Sequence, residues 1–265
     1  MPAAETRYVQ RNQPPGVPPL ELTGERTLPD VPEENYWYRR HLVVYEWIAE
    51  RLAQRPGPQR VVDLACGEGY GSAVLARTAA EVVGVDANPE AHEHARLRYV
   101  RPNLRFERTL VETYDAPTDV VVFLQTIEHV QDPDAILERF KQLIGPAGEA
   151  YVSTPNLLTL APDGAEKSEN PWHIKEYRAD EYRELLERHF SRVEIHGLFH
   201  HRKLALHQFA IERLGWDRLH KALRITKPFY GWFTPAIAAS DFVLRTAADG
   251  ADLDKALDFV AVVRP

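Results

Sequence analysis

The 265-residue sequence predicts an α/β protein: a Rossmann-like, doubly wound sheet of seven strands, with a helical segment ahead of it and a helical insertion before the last strand. Three observations carry that expectation. Val61 to Gly71 reads V-V-D-L-A-C-G-E-G-Y-G, a short β-branched run closed by a glycine turn. Fifteen residues on, V-V-G-V-D ends in Asp86, so strand, turn and second strand follow one another as in a nucleotide-binding βαβ unit. Short apolar runs then alternate with helical patterns to the end of the chain, the order that builds parallel sheets.

Residues 1–22 contain Pro14, Pro15, Pro18 and Pro19 with few apolar anchors, the composition of a disordered or extended tail, which leaves 23–265 as the folded domain. Glu33 to Leu52 carries Trp37, Leu42, Tyr45, Ile48 and Leu52 at helical spacing, and the Arg55 to Pro58 run ends it. Arg60 to Leu64 reads as a strand buried on both faces. Gly67, Gly69 and Gly71 let the backbone turn tightly and approach a ligand. A helix over Ser72 to Arg77 leads to the strand Glu81 to Val85, after which Asp86 is placed to accept hydrogen bonds from ribose hydroxyls. Pro89 to Val100 reads as helix, and Leu104 to Glu107 and Asp119 to Leu124 as strands. Asp132 caps a helix that holds Pro133 in its first turn and runs to Ile144. Gly148 to Thr154 is the fifth strand. The helix Ala179 to Phe190 and the strands Val193 to Leu198 and Leu257 to Val263 complete the seven, with an insertion of helix formers and aromatics over about 200–250.

The net charge of −7 reads as dispersed, which argues against nucleic acid and other polyanions and favours a small-molecule partner, with a homo-oligomer left open. Cys66 is the single cysteine and has no disulfide partner in the chain, and no basic-plus-apolar leader precedes the helical segment, so a cytoplasmic setting is expected. No uncharged apolar run reaches the ~18 residues of a membrane span.

The glycine loop is D-x-x-x-G-x-G-x-G, with an acid before it and one after, rather than the G-x-G-x-x-G of dinucleotide sites. In this the chain resembles the class I S-adenosylmethionine-dependent methyltransferases, whose first motif matches Asp63, Gly67, Gly69 and Gly71 and whose second acidic position matches Asp86. The resemblance implies S-adenosylmethionine as cofactor, with Asp63 near its ammonium and Ala65, Tyr70 and Ala87 among its contacts. Leu110 stands where many relatives carry an acid for the adenine amine, which leaves adenine to backbone groups and to Leu110 and Val111.

Ligands of open α/β sheets bind outside the carboxyl ends of the strands. Gln125, Glu128 and His129 follow the fourth strand at helical i, i+3, i+4 spacing and would face the cofactor. Histidine, with an ordinary pKa of about 6.5, suits removal of a proton from an acceptor hydroxyl, so His129 is the candidate base. Glu128 would orient its ring or hold a cation. The competing reading is a capping Glu and a core His. After the fifth strand a long loop ends at Asn170, Pro171, Trp172 and His173; a lid there would offer Trp172 as a flat face to a sugar and His173 as a second donor, ligand or base. The basic run from His200 to Lys203 is a further candidate for lining the acceptor cleft.

The stretches Leu22 to Thr27, Glu34 to Trp37 and Arg39 to His41, with Ser153 to Asn156, Asn170 to His173, Gly197 to His200 and the tail from Asp258, look like bacterial glycan O-methyltransferases of the methylmannose and methylglucose polysaccharide or mycofactocin glycan pathways. That resemblance implies a sugar hydroxyl as acceptor and puts His129 at the base position. Related quinone and small-RNA methyltransferases carry E-x-x-E-H for a divalent metal such as Mg, but Gln125 replaces the first Glu here, so activity is expected to survive chelation at least in part. The alternatives are a quinone or other phenolic O-methyltransferase and a cofactor-binding protein without catalysis.

Overall fold

The structure, a computed structural model, describes residues 7–8, 14–21, 26–162 and 164–265. β1 (Arg7–Tyr8) and β2 (Leu20–Glu21) form a small antiparallel ribbon. α1 (Asn35–Gln54) leads into β3 (Arg60–Leu64), α2 (Tyr70–Leu75), β4 (Glu81–Val85), α3 (Pro89–Arg98), β5 (Leu104–Glu107), β6 (Val120–Phe123), α4 (Pro133–Ile144) and β7 (Glu149–Pro155). α5 (Leu157–Leu160), α6 (Ala179–Glu187) and β8 (Arg192–His200) follow. α7 (Arg202–Leu214), α8 (Trp216–Ala222) and α9 (Thr226–Phe233) then precede β9 (Phe242–Thr246) and β10 (Asp258–Arg264).

The main sheet runs β5-β4-β3-β6-β7-β10-β8-β9. β5, β4, β3, β6 and β7 are parallel, and β10 is antiparallel to both β7 and β8. From β3 the chain winds outward through β4, then returns to β6 on the other side, so the switch point and its crevice lie between β3 and β6. Alternate residues of each strand serve opposite faces. Val61 packs with Tyr45 and Ile48 of α1 and Leu75 of α2, whereas Val62 and Leu64 pack with Ile136 and Phe140 of α4. The caps follow the sequence: the Asp132 side chain accepts from the Ala135 amide at 2.9 Å, and Asn88 accepts from the Glu90 and Ala91 amides with Pro89 opening the helix.

Two expectations are corrected. The sheet has eight strands among the described residues, because Phe242–Thr246, inside the stretch expected to be a helical insertion, pairs antiparallel with His196 to His200. Its F-V-L-R-T run is β-branched and apolar, but five residues amid helix formers carry little periodicity of their own. The second concerns the proline-rich tail. Much of 1–22, with Leu22 to Glu25 of the glycan-type motif, lies outside the described residues, yet Val17 and Leu20 are buried and the Pro18 carbonyl accepts a 2.7 Å bond from His94 Nδ1. Two apolar anchors suffice because prolines lose little entropy on docking.

Candidate active site

The crevice is built by strand ends and by backbone held in unusual conformations. Directly after β3, Ala65 has φ of 57°, and directly after β6, Gln125 has φ of 50°, left-handed values that cost a residue with a side chain about 1 kcal/mol or more. Gln125 is held there by Ser153 of β7, whose hydroxyl accepts from its amide and from Nε2, each at 3.0 Å. Gly67 and Gly69 take φ of 56° and 93°. A cavity of about 400 Å³ opens over this turn, lined by Ala65, Gly67, Tyr70, Asp86, Gln125 and His129, with Trp172 at its edge. An adjoining cavity of about 560 Å³ shares Ala65, Asp86, Thr126 and His129 and continues past Ala87, Leu110 and Val111. The two form one bent crevice. Asp86 is at its elbow.

Asp86 Oδ2 accepts from the Gly67 amide at 2.8 Å and Oδ1 from the Asn88 amide at 2.8 Å, so the carboxylate that faces the crevice also ties the two strand ends together. Asp63 departs from expectation. It is 0 % exposed and lies beneath the loop, accepting from the Ser72 hydroxyl at 2.6 Å and the Tyr45 hydroxyl at 3.2 Å, and does not line the crevice. The pleat explains this: Asp63 shares its face with Val61, under α1 and α2, while Ala65 turns out. Burial pushes its carboxyl up to about 7, against the two hydrogen bonds, with Asp86 adding to the rise. Gly69 and Gly71 are required by packing. A Cβ on Gly69 would lie 2.8 Å from Ala95 Cβ, and one on Gly71 2.1 Å from the Tyr45 ring; only Gly67 of the three lines the crevice.

After β6 the chain makes one 3₁₀ turn, Ile127–His129, rather than a longer helix, so Gln125 does not share a helical face with Glu128 and His129. Glu128 is buried and its carbonyl accepts from the Ile174 and Lys175 amides, pinning the Trp172 loop. His129 faces the crevice, with Nδ1 3.0 Å from the Trp172 carbonyl. A carbonyl can only accept, so Nδ1 donates to it, and in the neutral ring Nε2 is the nitrogen that can take a proton. His173 is buried edge-on to His129, ring centres 4.9 Å apart, and its Nδ1 lies 2.6 Å from Glu176 Oε1. Burial favours the neutral acid at Glu176, but the hydroxyl and amide of Ser168 together with His173 outweigh it and hold the carboxyl low. One ligand atom each of Glu128, His129 and His173 lie within 4.8 Å of one another. That donor set fits a divalent cation, with Glu176 behind His173 as the carboxylate that fixes such a ligand. Gln125 points its amide at Ser153 instead.

Sequence reasoning missed several residues of the crevice. Arg26, Thr27 and His41 line it from the N-terminal segment and α1. Burial pushes His41 down to about 4, so its ring is neutral near pH 7. Glu112, two residues beyond Leu110, and Asp132 also line the second cavity. Glu176 was legible as H-x-x-E after the lid, whereas Arg26 and His41 reach the site only through tertiary packing. His200 belongs elsewhere: Nε2 meets Tyr36 Oη and Nδ1 meets Gln208 Oε1, each at 2.8 Å, beside a separate cavity.

Comparison with known proteins identifies the family. A family described as methyltransferase domain matches residues 36–208. The chain is 38 % identical over 262 residues to a "Probable S-adenosylmethionine-dependent methyltransferase" of Mycolicibacterium smegmatis, covering 93 % of this chain and 96 % of that one. It is 37 % identical to a protein described in the same words from Mycobacterium tuberculosis H37Rv, covering 93 % and 90 %. A ubiquinone biosynthesis O-methyltransferase of Xanthomonas axonopodis pv. citri is 32 % identical over 131 residues, 46 % of this chain and 54 % of that one. In fold, the chain is similar to a crystal structure of an S-adenosylmethionine-dependent methyltransferase from Thermotoga maritima, with a TM-score of 0.56 at 14 % identity over 88 % of this chain and 94 % of that one. No helix among the described residues is long and apolar enough to cross a membrane. With the glycine turn, the acid at its elbow and a match along nearly the whole of its relatives, the chain belongs to the class I S-adenosylmethionine-dependent methyltransferases and uses S-adenosylmethionine as its cofactor.

Proposed function

We propose that this methyltransferase alkylates a hydroxyl of a saccharide or glycosylated small molecule, with His129 as general base. The observation that carries the reading is the placement of His129: its ring lines the crevice with Nδ1 on the Trp172 carbonyl, so Nε2 is the nitrogen that would take the acceptor's proton. Trp172, 64 % exposed, offers a flat apolar face beside it, of the kind a sugar ring stacks on. Bound S-adenosylmethionine supplies an electrophilic methyl group on a sulfonium. The chain's part is to hold the ribose at Asp86, seat the adenine against Leu110 and Val111, orient the acceptor and take its proton on Nε2. A methyl ether and S-adenosylhomocysteine result. The folded unit carrying this activity is taken as 23–265 together with the docked residues Val17 to Leu20.

A second reading of the base is favoured by the Glu128, His129 and His173 cluster. Those three would hold a divalent cation, and such a cation would lower the pKa of an acceptor hydroxyl. A phenolic or quinone acceptor is the competing substrate class, supported by the part-length similarity to ubiquinone biosynthesis O-methyltransferases. The test is a methyl-transfer assay over a panel of glycans and phenols, with wild type and His129→Ala, before and after EDTA. Expected are turnover on a saccharide, a fall of about 10² to 10⁴ in turnover for His129→Ala, unchanged S-adenosylhomocysteine binding, and survival of activity in EDTA. Loss in EDTA restored by magnesium selects the cation reading, turnover on phenols alone the other substrate class, and unchanged turnover in the variant removes His129 as base.

A further inference from the structure

The charge of this chain is not dispersed. Residues 202–233, the α7 to α9 insertion, hold seven Lys and Arg side chains against Glu212 and Asp217 alone, a net +5 within a chain of net −7. The same segment leaves large apolar side chains in solvent. α7 turns Leu204 into the core and presents Leu206 and Phe209, 68 % and 52 % exposed, on its opposite face, with Arg202 and Arg213 on the same stripe one turn to either side. α8 and the residue after it expose Leu219 and Leu223 at i, i+4 spacing, and Trp232 of α9 is 70 % exposed. The inward faces pack on one another: His207 stacks on Phe229 and on Phe233, and His220 is buried against Trp216 and Tyr230. The insertion is therefore a packed unit that keeps Leu206, Leu219, Leu223 and Trp232 outside at a cost in hydration, on a segment rich in cations.

We propose that the α7 to α9 insertion docks the protein onto the surface of an anionic lipid bilayer, Leu206, Phe209 and Trp232 entering the headgroup boundary and Arg213, Arg218, Arg224 and Lys227 meeting acidic headgroups. Each feature has its counterpart in that surface. Apolar side chains gain by leaving water at the acyl boundary, tryptophan favours the interface, and basic groups gain from a negative surface potential. Arg213, Arg224 and Lys227 are exposed and form no ion pair with a described carboxylate, so they keep their charge for an outside partner. A second copy of the chain fits poorly, since a two-fold contact sets this patch against itself and faces +5 with +5. Nucleic acid matches the charge but gives Leu206, Leu219 and Leu223 nothing to bury against.

The test is co-sedimentation of the full chain with vesicles of phosphatidylcholine alone and with 30 % phosphatidylglycerol, at 0.05 M and 0.5 M NaCl. The wild type is expected to sediment with the anionic vesicles at low salt, less at high salt, where the Debye length is less than half as long, and hardly at all with phosphatidylcholine. The triple variant Arg213→Glu, Arg224→Glu, Lys227→Glu should lose at least about 1,000-fold in partitioning, at roughly tenfold or more per reversed charge. Leu206→Ser with Phe209→Ser and Trp232→Ser should lose binding while melting no earlier than wild type, since all three side chains lie outside the core. Failure of the wild type to sediment overturns the proposal. So does binding that survives either triple variant, a dimer in solution that the serine variant disperses without lipid, or capture of a 20-nucleotide RNA in preference to the vesicles.

Discussion

Asp86 joins cofactor recognition to loop geometry in a single carboxylate. Its oxygens hold the Gly67 and Asn88 amides and face the crevice, so Asp86→Ala removes a charge-assisted bond and frees the turn together. Affinity for S-adenosylhomocysteine should weaken by about 1 to 3 kcal/mol in calorimetric titration; unchanged affinity would remove Asp86 from the ribose site. Asp63 makes a different prediction from the same motif. With a folded pKa near 7 and an ordinary value of 3.8, the folded chain binds this proton more tightly than the unfolded one. Its contribution to stability is therefore full below about pH 4 and is lost as pH rises toward 7, on the order of 4 kcal/mol across the window. Denaturant unfolding of wild type and Asp63→Asn over that range should show the wild type falling relative to the variant, and a flat difference would mean that the carboxylate stays ionised in the fold. The two acids of the motif look alike in sequence. The pleat puts one under the helices and the other in the crevice.

Between β3 and α3, the glycines answer to packing. The Tyr45 ring from α1 lies on Gly71, and Phe106 of β5 with Ala95 of α3 lies on Gly69, so the motif is a point where three elements meet. Gly71→Ala should cost about 1 to 3 kcal/mol, read as a lower melting temperature, because a Tyr45 ring held by Asp63 has little room to yield. Gly231, in α9 with ordinary backbone and open space around it, should behave in the opposite sense and gain roughly 0.5 to 1 kcal/mol on change to Ala. Equal melting temperatures for the two variants would undo this reading of the motif. Elements with strong local signals were legible in the sequence. The Asp132 cap with Pro133, the β-branched runs of β3, β4 and β6, and the periodic α1 all formed within a few residues of expectation. β9 was hidden because an edge strand is defined by the neighbour it pairs with. The Trp172 loop showed its length but not its anchorage, since the Ile174 and Lys175 amides are held by a carbonyl more than forty residues earlier.

At the scale of the whole molecule, the cofactor should act as a clamp on both halves of the sheet, since the crevice draws residues from β3, β4, β6 and the N-terminal segment together. S-adenosylhomocysteine at a hundredfold excess over its Kd should add about 2.7 kcal/mol to stability, a rise of roughly 5 to 10 °C in Tm, and NAD should add none; a shift with NAD instead would contradict the cofactor assignment. The order of strand, glycine turn and acid determined the fold class and the neighbourhood of His129, which follow from local spacing, because a βαβ unit brings the ends of its two strands side by side whatever surrounds them. The cofactor came with the family resemblance that the motif carries. The tertiary structure alone decided that Asp63 is buried beneath the loop, that Arg26 and His41 enter the crevice from far upstream, and that Glu176 stands behind His173. It also decided that the insertion turns basic and apolar side chains outward. Each of these depends on which face of an element meets its neighbour, and burial and hydrogen-bond partners across tens to hundreds of residues are set by packing, not by the residues beside them in the chain.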